Sequence, residues 1–137
     1  MADAVEAETG TSGAVESWSL AGDTAAVSAD SVAQALRARI AGGKLESLLE
    51  SSSGRTLFAV SNGERAMVML LDHPGDPGEH AADPGAKDWS DGFVLSNGQA
   101  DEYPDADTVP LAEALRIVRH ILATGRPPAD AVWAVDR

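Results

Sequence analysis

The stretch DHPGDPGEHAAD, residues 72–83, gathers His73 and His80 with Asp72, Asp76, Glu79 and Asp83, the nitrogen and oxygen donors of a cation site. The spacing argues against one. The Asp-x-Asp ladder and closing glutamate of a calcium loop are missing, and no helix places the two histidines four apart. His120, between Arg119 and Ile121 in a helical pattern, reads as a boundary residue with a satisfied ring. Nucleophilic catalysis finds no support either: there are no cysteines, and no serine sits in a Gly-x-Ser-x-Gly elbow. The carboxylates fall in loops without an apolar pocket to raise a pKa for acid work. HPGDPG, residues 73–78, turns like a phosphate loop but lacks the cation that a phosphate needs. The expectation is a protein with no catalytic residue, no metal and no cofactor. The competing reading is a small enzyme or ligand-binding domain that uses the loop from His73 to Asp91, which requires a pocket there.

The distribution of charge is more informative. The chain carries a formal net charge of −12 at pH 7, and two segments hold the excess: residues 1–30 contain six acids and no base, and residues 72–107 contain ten acids and only Lys87. SNGQADEYPDADTVP, residues 96–110, has Asp101, Glu102, Asp105 and Asp107 around Tyr103 with no base at all, so its charge is expected to stay unneutralised. Such a field repels nucleic-acid backbones and steers a basic protein partner. Solubility alone, or protection of a sheet edge, would also explain it. Trp89 in KDWSDG and Tyr103 in DEYPDAD are aromatics bordered by acids. They read either as anchors of an interface with a charged rim, together with Asp88, Asp91, Asp101, Glu102, Asp105 and Asp107, or as residues that pin the loop onto a sheet.

These residues need elements to position them. A length of 137 residues and 44% apolar content fit one core. Residues 1–13 lack periodicity and read as an acidic disordered tail, and residues 14–137 as a single domain. Around Trp18 the pattern fits a short strand or an ordered loop. Val32, Leu36 and Ile40 recur at helical spacing after Ser28 or Asp30 as cap, and Gly42-Gly43 ends the run. A strand follows over 45–50. RTLFAVSNGERAMVMLLD reads as a hairpin with a type I′ turn at Asn62-Gly63, pairing Val60 with Met67 and Phe58 with Met69. Its second strand is apolar throughout and therefore central. Proline, glycine and acids make 72–91 mostly loop. Strands at 93–96 and up to Tyr103 flank Asn97-Gly98, the second of them an edge. Thr108 or Val109 caps a helix with Pro110 in its first turn, striped by Leu111, Leu115, Val118 and Leu122, widened by Ala114 and Ile121 and closed by Gly125. A last strand carries Trp133 into the core. The fold class is α+β, a mainly antiparallel sheet with two amphipathic helices packed on it and an acidic loop between hairpins. Neither a signal sequence nor a membrane span is indicated, and the cytoplasm is the expected compartment.

The ordered set of Asn97-Gly98, the acidic link ending at Pro104, Val109-Pro110, Gly125-Arg126-Pro127-Pro128 and Trp133 resembles the immunity protein 1 family of bacterial polymorphic toxin systems. The resemblance covers residues 50–137 and, more loosely, the first helix. Its matched positions, Gly98, Pro110, Gly125, Pro128 and Trp133, look like fold markers. It implies an α+β protein that binds and neutralises a cognate toxin, often a nucleic-acid deaminase, in the producing cell. An acidic face suits that role, because a toxin acting on nucleic acid presents a basic surface. An intracellular chaperone or adaptor for a basic secreted partner is the alternative.

Overall fold

Residues Thr56–Ser61 and Arg65–Leu71 form the central strand pair, in the register expected: Val60 opposes Met67 and Phe58 opposes Met69. A computed structural model of the chain describes residues 16–22 and 26–137; the expected acidic tail lies outside them. Numbered along the chain, the strands are β1 (Trp18–Leu20), β2 (Ala26–Val27), β3 (Glu46–Ser51), β4 (Thr56–Ser61), β5 (Arg65–Leu71), β6 (Glu79–Ala81), β7 (Trp89–Val94), β8 (Ala100–Pro104), β9 (Val109–Pro110) and β10 (Trp133–Val135). The helices are α1 (Val32–Ala41) and α2 (Leu111–Thr124). One antiparallel sheet runs β10-β6-β5-β4-β3-β1-β2, with β9 paired to the start of β5, and β7 and β8 form a separate two-stranded sheet. The chain is α+β. No helix among the described residues is long and apolar enough to cross a membrane.

Period-2 alternation gives the large sheet two different faces. Leu49, Leu57, Ala66, Val68 and Leu70 are buried beneath the helices, against Val32 and Leu36 of α1 and Leu115, Val118 and Ile121 of α2. Ile117 is also buried, so the apolar face of α2 is wider than the expected stripe, whereas Leu111 is only partly covered. Phe58, Val60, Met67 and Met69 take the other face. There the β7–β8 hairpin packs: Phe93 of β7 and Val60 of β4 are both buried, yet neither belongs to the helix-side core. Asn62 Nδ2 donates to the Asp91 carbonyl at 2.9 Å, and the Ser96 amide donates to Glu46 Oε1 at 2.8 Å, tying the middle of β7 and the turn that follows it to the sheet.

Three expectations are corrected. The hairpin at Asn62-Gly63 joins its strands through three residues, Asn62 to Glu64, not two: the Asn62 side-chain oxygen accepts from the amides of Glu64 and Arg65 at 2.9 and 2.8 Å, and Gly63 supplies the left-handed residue at φ 94°. The segment 72–91 is mostly loop, as expected, and within it β6 is a strand between β5 and β10. The second hairpin's first strand starts at Trp89 and ends at Val94, earlier than the expected 93–96. Neither Ser28 nor Asp30 caps α1, and neither Thr108 nor Val109 caps α2. Ser31 holds the first position and Pro110 the second, because Val109–Pro110 is drawn into pairing with β5 and the Leu111 amide donates to the Glu64 carbonyl at 2.9 Å.

Candidate partner-binding face

A β-bulge decides which side chains the small hairpin presents. Ser90 opposes Tyr103 and Phe93 opposes Asp101, so Asp91 and Gly92 together face Glu102. Gly92 adopts φ 86°, a conformation side-chain-bearing residues avoid. The extra residue shifts the alternation by one. Ser90, Phe93, Asp101 and Tyr103 therefore turn toward the large sheet, while Trp89, Asp91, Val94 and Glu102 turn outward. Burial agrees: Phe93 is 0% exposed, Trp89 63% and Val94 39%.

The two aromatics singled out in the sequence thus lie on opposite faces. Tyr103 packs on Phe93 with ring centroids 4.9 Å apart, and its hydroxyl donates to Asp101 Oδ2 at 3.2 Å. Burial, and then the Asp101 carboxylate, push the Tyr103 pKa up to about 12. Trp89 points to solvent.

The expectation that the acids of 96–110 stay unneutralised is also corrected, at Asp105 and Asp107, and across 72–107 as a whole cations reach six acids. Arg137 pairs with Asp72, Asp76 and Glu79 at 3.1, 2.8 and 2.6 Å. Arg65 reaches Asp83 at 2.8 Å and Asp105 at 3.8 Å, and donates to Thr108 Oγ1 at 2.7 Å. His80 takes Asp107 at 3.1 Å and Asp136 at 2.8 Å. Asp101 has Gln99 and Tyr103 as partners. Among the described residues, the side chains of Asp88, Asp91 and Glu102 have none, and all three are exposed. Of the eight proposed interface residues, Trp89, Asp88, Asp91 and Glu102 are accessible and uncommitted; Asp101, Tyr103, Asp105 and Asp107 are engaged within the fold.

Both ring nitrogens of His80 meet carboxylates, an arrangement only the imidazolium satisfies fully, since a neutral ring has one donor. Burial lowers its pKa, but hydrogen bonds to Asp136 and then Asp107 outweigh that and raise it overall. A raised folded-state pKa gives stability that is complete below the unfolded histidine value, about 6.5, and is lost as pH rises through the higher folded value. The stability gap between the parent and His80→Gln is expected to be widest near about pH 5.5 and to close in alkaline buffer. Urea melts across that range measure it; a gap independent of pH would exclude a charged His80.

No three metal-ligating groups converge among the described residues. His73 is exposed, with Nδ1 2.9 Å from the Pro74 carbonyl, and His120 caps the end of α2 through Nδ1 and the Arg126 carbonyl at 2.8 Å. An open groove of about 580 Å3 runs between the end of α1 and the hairpin tip, past Lys44, Glu46 and Leu95, with no wall from 73–91. Sequence reasoning missed the anchoring roles of Arg65 and His80, and the bulge. A lone arginine opening an all-apolar strand, and a glycine inside a strand, are the signals that point to them. The chain matches no family model and no curated protein.

Proposed function

We propose that this chain is an immunity protein: it binds a basic toxin, one that acts on nucleic acid, and neutralises it without turnover in the cytoplasm of the producing cell. The carrying observation is the outer hairpin face, where a tryptophan 63% exposed shares its side with Asp91 and Glu102 and borders Asp88, all without side-chain partners among the described residues. Large aromatics at the centre of a charged rim supply most of the affinity in protein interfaces, and uncompensated acids speed encounter with a cationic surface. The resemblance of residues 50–137 to the immunity protein 1 family points the same way.

Rescue of growth on co-expression with the product of the adjacent gene tests this reading. A complex whose partner keeps its activity would support a chaperone or adaptor instead. Asp88→Lys, Asp91→Lys and Glu102→Lys combined are expected to slow association about tenfold or more at low salt, with a smaller effect at high salt. Stopped-flow association rates across a salt series measure it, and unchanged rates would remove the hairpin from the interface.

A further inference from the structure

We infer that the outer face of the β7–β8 hairpin is a guanidinium platform, on which an arginine of the partner lies over the Trp89 indole while Asp91 and Glu102 accept its N–H groups. The inference rests on the proposed partner-binding role of this face and specifies the group it receives.

The chain already contains this arrangement in closed form. Arg55 lies over the Trp18 ring, 5.6 Å from the centroid, and its Nη2 meets Glu16 Oε1 at 2.6 Å. Indole, carboxylate and guanidinium complete one another there. On the outer hairpin face the indole and the carboxylates are present, and no cation of the described chain pairs with Asp88, Asp91 or Glu102. Geometry favours the comparison. The bulge turns Asp91 to the same side as Trp89, and Glu102 opposes the bulge, so two acceptors share the face that carries the indole. Val94, 39% exposed, adds an apolar residue farther along that face.

Arginine fits better than lysine for two reasons. Its planar, weakly hydrated head stacks on a ring, and its fixed fork serves two carboxylates at once, whereas an ammonium is a hydrated point charge. The commitment is to a protein partner that presents arginine. A nucleic acid is excluded by the same carboxylates.

The test uses the full chain with two peptide probes, hexa-arginine and hexa-lysine, followed by the indole N–H resonances of its three tryptophans. The arginine peptide is expected to bind about two- to fivefold more tightly, with the Trp89 resonance moving most. Trp89→Leu, a change at an exposed site, should erase the preference while leaving binding of the lysine peptide nearly intact. Asp91→Asn with Glu102→Gln should weaken both peptides. Equal affinities in the parent, a preference that survives Trp89→Leu, or movement confined to Trp18 and Trp133 would each overturn the platform. The two proposals fail separately. A chain that rescues growth but shows no arginine preference loses only the platform; one that shows a Trp89-dependent preference but rescues nothing loses the immunity reading.

Discussion

Phe93→Ala is expected to lower the stability of the chain by about 3–5 kcal/mol, the usual cost of emptying a fully buried aromatic site. Phe93 is 0% exposed and is the residue through which the hairpin is seated on the face of the sheet away from the helices. Two hydrogen bonds there, involving Asn62 and Ser96, are each worth about 1 kcal/mol net, and Arg65 holds only the root of the hairpin, so the ring is the main apolar attachment of its body. A cavity in this position also removes the ring on which Tyr103 packs. The variant therefore carries a local reporter. Tyr103 is the chain's single tyrosine, and as its burial is lost its ionisation should fall from about 12 toward the ordinary value of about 10. Chemical denaturation gives the first quantity and absorbance titration of tyrosinate the second. A loss below about 1 kcal/mol with tyrosine ionisation unmoved would show that the hairpin is held by something other than this ring.

The features legible in the sequence are those whose causes are local. The register of β4 against β5 follows from two β-compatible apolar runs flanking one Asn-Gly turn, and the limits of α2 follow from Pro110 and Gly125, the latter at φ 81°. The illegible features are imposed from a distance. Glu79-His80-Ala81 shows no apolar alternation, and becomes a strand only because β5 and β10 offer it backbone partners on both sides. Thr108 looks like a helix cap in sequence, but Arg65, 43 residues away, claims its hydroxyl. The acids of 72–107 look uniformly free for the same reason: Arg137 lies 61 residues beyond Asp76, and Asp107 meets His80 across 27. For the candidate face, composition suggested Trp89 and Tyr103 equally. A single residue of bulge separates them, sending one ring outward and the other in.

Arg65 is the residue whose loss should spread furthest from its own position. Its side chain, 19% exposed, donates to Asp83 Oδ2 at 2.8 Å, to Thr108 Oγ1 at 2.7 Å, and to the carbonyls of Asp105 and Thr108 at 3.1 and 3.0 Å. These acceptors lie on the link that runs from β8 to α2 and on the strand-side segment next to it, so one guanidinium fixes the root of the hairpin. Arg65→Met keeps much of the stem's packing but leaves Asp83 and Asp105 without the cation they share and the buried Thr108 without its donor. Partial exposure softens the penalty, and a cost of about 2–4 kcal/mol is expected. Arg65→Lys should recover less than half of it, since an ammonium cannot serve the same fork of acceptors. Denaturation in parallel with the double variant Arg65→Met, Asp83→Asn separates charge repulsion from lost hydrogen bonds: repulsion predicts recovery on neutralising Asp83, whereas lost donors to Thr108 and Asp105 do not. Equal stability of the lysine variant and the parent would mean that charge alone, not the planar fork, anchors the hairpin that carries Trp89.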